Sequence, residues 1–229
     1  LYFEAADEDD LRRTGYSKDG KFDCPQILLG LLVTREGQPI SYEIFEGSLS
    51  EKRTFIPLLE RAQEKFGFGK PIVVADSGLL SRRNIETLVG GGYEYILGAK
   101  LKNEKDSVKK RILALGLSDG QAASIRTDDG LRIVVSMAEK RRRRDEANRR
   151  KGIKRLQEKV ATGKLKKSHI NNRGYNSLLS LTGEMTVQID EKKIESASRL
   201  DGLKGYLTNS RLAAGEIVDN YRHLFMIER

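Results

Sequence analysis

Between two stretches of helical periodicity lies Ile72-Val73-Val74-Ala75, a β-branched run with no polar alternation, closed by Asp76-Ser77-Gly78. A strand with no polar face suits a sheet covered by helices on both sides. The helices are legible on either flank. Phe55, Leu58, Leu59, Ala62 and Phe66 recur at three- and four-residue spacing, with Pro57 tolerable in the first turn and Gly67 as a stop. Ile85, Leu88 and Val89 mark a second helix, which Gly90-Gly91-Gly92 breaks before a strand at 93–99.

Upstream, Leu1-Tyr2-Phe3-Glu4 reads as the tail of a strand and Gly15-Tyr16-Ser17-Lys18-Asp19-Gly20 as loop. Residues 27–33 are nearly all apolar, and 40–45 alternate, with Ile40, Tyr42 and Ile44 set against Ser41 and Glu43. With Glu36-Gly37-Gln38-Pro39 as the turn, they form a hairpin. Three antiparallel strands followed by βαβ units make a mixed α/β sheet. Beyond Lys100 the pattern changes: a strand at 131–137, a long basic helix over 139–160 containing Gly152, a polar stretch at 164–174, and strand-like pieces at 185–189 and 205–208 with Asp201-Gly202 as a turn. A helix over 213–229 closes the chain. The expected division is a core over 1–100, an insertion over 101–210 built on the first sheet, and a final core helix within 211–229.

At 229 residues and 38% hydrophobic content the chain can bury one large domain, or a core with a sizeable insertion. No apolar run approaches the length that spans a bilayer, and Leu1 opens on no signal-peptide pattern. A soluble, cytoplasmic protein is expected. The single cysteine, Cys24, excludes an internal disulfide framework and reads as a small packing residue. The net charge of +9 is segregated: residues 139–173 hold fifteen Lys/Arg against four Asp/Glu, a local +11, which leaves −2 for the rest. Such a segment suits a phosphate-contacting helix, and equally a solvated charged one.

Two carboxylates stand out. Asp76 follows the strand read as the most buried, and open α/β sheets bind ligands beyond the carboxyl ends of their strands. An Asp in Asp-Ser-Gly is also an ordinary turn former. Glu228 continues the apolar stripe of Ile217, Tyr221, Leu224 and Phe225, at i+4 from Leu224 and i+7 from Tyr221. A carboxylate on a core-facing stripe needs a partner or a metal, unless the helix frays there. Two acids from distant parts of a chain can hold divalent cations, and paired ions can clamp both oxygens of a phosphodiester exchange. His169 and His223 lack zinc-site partners, and Gly67-Phe68-Gly69-Lys70-Pro71 is no P-loop, because Pro71 replaces the hydroxyl residue.

Taken in order, Leu1-Tyr2-Phe3-Glu4, the Gly15–Gly20 loop with Pro25-Gln26, Val73 through Ser81, Tyr93 through Lys100, Asp201-Gly202 leading to Leu207-Thr208-Asn209, and Tyr221 through Glu228 resemble the DDE-type insertion-sequence transposases, of the insertion-sequence-four type. The resemblance covers essentially the whole chain. It implies a ribonuclease H-like fold, a mixed sheet flanked by helices with a β-rich and basic-helical insertion before the last helix. It also implies three acids binding Mg²⁺ (or Mn²⁺), with Asp76 second and Glu228 third. The first aspartate would lie upstream of Leu1, with the N-terminal DNA-binding region; Asp7, Asp9 and Asp10 do not match it and read as a solvated loop. The polypeptide is therefore expected neither to nick nor to join DNA. Two further departures are Leu224, where the family usually has arginine, and the lysine that follows the glutamate, beyond Arg229.

In the intact protein the resemblance implies hydrolysis at transposon ends and strand transfer into target DNA, on double-stranded DNA in a prokaryotic nucleoid, with at least two protomers on paired ends. Tyr221 and Arg222 on the last helix are expected DNA-binding residues. Arg141, Arg142, Arg143, Arg144, Arg149, Arg150, Lys151, Lys154 and Arg155 are the expected backbone contacts, giving affinity without sequence choice. A ribonuclease H-like nuclease that cuts without joining, and a non-catalytic nucleic-acid-binding remnant, are the alternatives.

Overall fold

The structure, a computed structural model, describes residues 2–5, 7–15, 24–34, 38–67, 69–77, 81–163, 165, 167–171, 174–182 and 186–224. The chain divides into two compact units. One comprises Leu1–Ala99, Asp129–Val134 and Tyr206–Arg229, the other Lys100–Asp128 and Val135–Gly205.

In the first unit the long apolar run becomes β3 (Pro25–Val33), which pairs antiparallel with β1 (Tyr2–Glu4), the short β2 (Arg13–Thr14) and β4 (Pro39–Glu46). The expected hairpin is present, with the Thr34 amide donating to Gln38 O at its mouth. Its faces are instructive. Register places Tyr42 opposite Leu31 and Phe45 opposite Leu28. Tyr42 is 65% exposed, and Ile40 and Ile44 are exposed beside it, whereas Phe45 is 8% exposed and Leu28 is buried. The side chains that alternate apolar in the sequence are thus the outward ones. β3 is apolar on both faces, so α1 (Glu51–Phe66) decides which face is covered. A side chain on Gly30 would sit 3.0 Å from Leu58 and 3.1 Å from Phe45, and Arg61 reaches Glu43 at 2.6 Å, so α1 lies on the Phe45 side.

α1 starts earlier than its periodicity suggests. Its N-cap is Ser50, which puts Pro57 inside the helix rather than in the first turn, where it removes one backbone donor. Gly67 ends it in the left-handed region at φ 59°, as a C-capping glycine does.

β5 (Ile72–Ala75), α2 (Arg82–Gly90) and β6 (Glu94–Ala99) form the expected parallel unit, with Ala75 opposite Leu97. They belong to a five-stranded sheet in the order β5-β6-β11-β8-β7, where β7 is Ala122–Arg126, β8 Arg132–Met137 and β11 Leu203–Thr208. Among the described residues the antiparallel strands form a sheet of their own. β5 is the terminal strand of its sheet, which corrects its reading as the most buried: Val73 and Ala75 are covered, but Ile72 is exposed. The strand buried on both faces is β6, because it has a neighbour on each side and its Tyr95, Ile96 and Leu97 are almost wholly enclosed. On α2 the buried pair is Asn84 and Leu88, and Val89 points to solvent.

The second unit holds α3 (Asp106–Ala114), the basic helix α4 (Glu139–Ala161), a hairpin of β9 (Leu179–Thr182) and β10 (Thr186–Ile189), and α5 (Glu191–Ser198). Leu156, Leu178, Leu179 and Val187 make one apolar cluster in it, with Ile153 and Ile194 packed against them. Among the described residues no helix is long and apolar enough to cross a membrane.

The facing of the hairpin is testable by urea denaturation. Phe45→Ala should cost about 3–5 kcal/mol, and Tyr42→Ser should stay within about 0.5 kcal/mol. The opposite ranking would place the other face against α1.

Candidate active site and nucleic-acid interface

Asp76 follows directly on β5, and its side chain is exposed. Because Ala75 lies opposite Leu97, the next residue on the neighbouring strand is Gly98. A methyl group there would come within 2.5 Å of the Tyr221 hydroxyl and 3.0 Å of the Ser77 amide nitrogen. A glycine inside a strand permits such a backbone approach. Tyr221 belongs to α6 (Ala214–Arg222), whose covered side is Ile217, Val218 and Tyr221. Its ring is 4% exposed and meets Tyr206 of β11 edge to face at 4.9 Å. The last helix therefore stands against the carboxyl ends of β5 and β6, beside Asp76. Tyr221 does this as a packing residue, with almost no surface left for a nucleic acid. Arg222 is exposed and pairs with Asp219 at 3.1 Å. Glu228 and Phe225 lie outside the described residues.

The approach to α6 is fixed by side chains that stand in for strand hydrogen bonds. Thr208 Oγ1 donates to Tyr95 O at 2.6 Å, while Asn209 accepts from Tyr95 N at 2.8 Å and donates to Tyr93 O at 3.0 Å. Arg132 Nη1 then donates to Ser210 O at 2.7 Å and Leu212 O at 2.9 Å, holding the two-residue step before the helix. Sequence reasoning noted Thr208-Asn209 only as part of a resemblance, and it missed Arg132. The same enclosure that protects these bonds pushes the Tyr95 hydroxyl above its usual range by desolvation.

The acidic loop closes on itself around Asp9 and is tied to the end of β4 by the Gly47 amide, which donates to Leu11 O at 3.0 Å. Asp9 accepts from the Arg12 and Leu11 amides at 2.6 and 2.9 Å, and its carboxyl is lowered to about 2, first by the Arg12 amide and then by the Arg12 guanidinium. Among the described residues no three His, Cys, Asp or Glu side chains converge as a metal site.

α4 sorts its cations by face. Arg149 is 15% exposed and pairs with Asp201, which is 5% exposed. Arg141 is half-buried beside Asp145 at 3.5 Å. Arg142 and Arg143 both reach Glu139, whose carboxyl is held below its ordinary range chiefly by the Arg142 hydrogen bond, and Arg150 pairs with Glu146 at 3.0 Å. Arg144, Lys151, Lys154 and Arg155 are exposed, and among the described residues none of them has an ion pair. Of the nine cations named from the sequence, these four are presented free.

Against known protein families, residues 4–229 match the one described as "Transposase DDE domain". No curated protein matches the chain.

The Gly98–Tyr221 contact predicts a specific coupling. Gly98→Ala should destabilise the chain by about 1–3 kcal/mol through overpacking, and Tyr221→Phe should return part of that loss in the Gly98→Ala background. A denaturant double-mutant cycle reads it; strict additivity would mean that the hydroxyl is not the group displaced.

Proposed function

The chain belongs to the transposase DDE domain family, and from that membership we propose that it is the catalytic core of an insertion-sequence DNA transposase of the insertion-sequence-four type, with Asp76 and Glu228 as two of its three metal-holding acids. On this reading the β5–α2–β6 unit belongs to a ribonuclease H-like core drawn from residues 1–100 and 211–229. Residues 101–210 are then the insertion that carries the basic helix.

The observation that supports the reading best is the seating of α6 at the carboxyl end of β5. Tyr221 is held at Gly98, one strand away from Asp76. In the sequence Glu228 follows Tyr221 by seven residues, on the apolar stripe that Ile217 and Tyr221 begin. Asp76 offers an exposed, hard oxygen donor, which fits Mg²⁺ or Mn²⁺. Bound there, a pair of such ions would supply an activated water and stabilise the departing 3′ oxygen. The protein's part is positioning: Asp76 and Glu228 fix the donor geometry, the Thr208-Asn209 clasp and Arg132 fix the helix, and the basic helix holds the duplex by its backbone. Hydrolysis at a transposon end, followed by attack of the freed 3′-hydroxyl on target DNA, needs no covalent protein intermediate. Paired ends call for at least two protomers.

Mn²⁺ titrated into the chain, followed by loss of the free-ion paramagnetic signal, tests the acid pair. Saturable binding should weaken on the order of tenfold or more in Asp76→Asn and in Glu228→Gln alike, with circular dichroism unchanged. Equal affinity in both variants and the parent would remove these residues from the site.

A further inference from the structure

Resting on the reading of the basic helix as a DNA-holding element, we infer that α4 divides its cations between two tasks. An outward row of Lys140, Arg144, Lys151, Lys154 and Arg155 takes the phosphate backbone of a duplex, while Arg141 and Arg149 hold the helix on the Asp201-Gly202 turn and touch no nucleic acid.

The inward side of α4 changes character along its length. Toward its carboxyl end Ile153 and Leu156 join an apolar cluster of the second unit. Toward its amino end the contacts include polar ones to the Asp201-Gly202 turn. Arg149 pairs with the buried Asp201, and the Gly202 amide donates to Asp145 at 3.2 Å. Gly202 O accepts from the Ala138 amide at 3.1 Å. Gly202 adopts φ 81°, and a side chain there would meet Arg142 Cβ and Met137 Sδ, both at 2.8 Å. The turn is thus fitted against this half of the helix, and the charges of Arg141 and Arg149 are already answered by Asp145 and Asp201. Backbone phosphates could engage Arg149 only by leaving Asp201 buried without its cation.

The opposite side is differently built. At 3.6 residues per turn, Lys140, Arg144, Lys151, Lys154 and Arg155 fall within an arc of about 100°. They span about 22 Å of axis at 1.5 Å per residue. All five are exposed, and none has an ion pair among the described residues. The helix contains no aromatic residue, so this face offers no platform on which unpaired bases could stack. Cations without aromatics suit a sequence-blind duplex backbone. A hollow of about 570 Å³ on the flank, lined by Glu146, Arg149, Arg150, Ile153, Lys154 and Gln157, carries a carboxylate already paired with Arg150 and suits phosphate less well.

The test is the salt dependence of duplex binding by the whole chain, measured by fluorescence anisotropy with a labelled random-sequence duplex and with the matching single strand. Neutralising Arg144, Lys151 and Arg155 together to Gln should lower the slope of log K against log salt by about 2.7, at about 0.9 per phosphate contact. Arg149→Gln paired with Asp201→Asn, which removes both charges of the buried pair at once, should leave that slope unchanged. Circular dichroism on each variant confirms that α4 persists; if the triple variant loses it, the single changes Lys151→Gln and Arg155→Gln should each remove about 0.9. A slope that falls with the Arg149/Asp201 pair but not with the outward row overturns the division of tasks, as does tighter binding of the single strand. Duplex binding that survives with the wrong slopes sinks this inference alone. Absence of duplex binding sinks the DNA-holding reading with it, while the Mn²⁺ titration still judges the acids separately.

Discussion

The arrangement beside Asp76 depends on a group that is not there. Because Gly98 has no side chain, the Tyr221 hydroxyl can settle against β6 next to the Ser77 amide, and α6 can approach the ends of two parallel strands. Tyr206 supports the ring from the side, and the helix buries Ile217 and Val218 along the same stripe. This is packing at backbone distance, where one methyl group is felt. The Thr208-Asn209 hydrogen bonds to Tyr93 and Tyr95, and the Arg132 bonds to Ser210 and Leu212, then set the direction from which the helix arrives. These contacts seat α6 at the carboxyl ends of β5 and β6, beside the exposed carboxylate of Asp76.

α4 reaches its place by different means. A buried ion pair such as Arg149–Asp201 is poor evidence for stability, since desolvation offsets most of the attraction. Its effect is selective. Leu156 and Ile153 set the rotation of the helix at its carboxyl end, and the buried partner of Arg149, backed by the Gly202 hydrogen bonds, holds the same rotation at its amino end. The remaining cations are then presented on a chosen side.

Much of the first unit was legible. The β3–β4 hairpin, α1 and the β5–α2–β6 unit follow from periodicity and turn chemistry, because each carries one pattern over enough residues to be distinct. Which face of the hairpin turned inward was not legible, since β3 is apolar on both sides and the decision belongs to α1. The rank of β5 was misread for a related reason: four apolar residues look the same at a sheet's end as at its centre, and only the pairing order distinguishes them. α3 and α5 went unread, the former showing only Val108 and Ile112 as buried positions and the latter none. Asp190, accepting from the Lys192 and Lys193 amides, was the available sign of α5. In the candidate site, Asp76 was singled out by its position after β5. Gly98 could have been flagged as a strand glycine, but its partner is 123 residues away in the chain. Arg149 looks like its neighbours in the sequence, and only its buried aspartate sets it apart.

The central claim is that the closing helix brings a second acid to the aspartate at the end of β5. Paramagnetic broadening by substoichiometric Mn²⁺ in the amide spectrum of the chain measures this in one experiment. The account predicts that Ser77, Gly98 and Glu228 broaden together, and that all three recover in Asp76→Asn. Broadening at Ser77 with Glu228 untouched, or broadening confined to the acidic turn around Asp9, would contradict it.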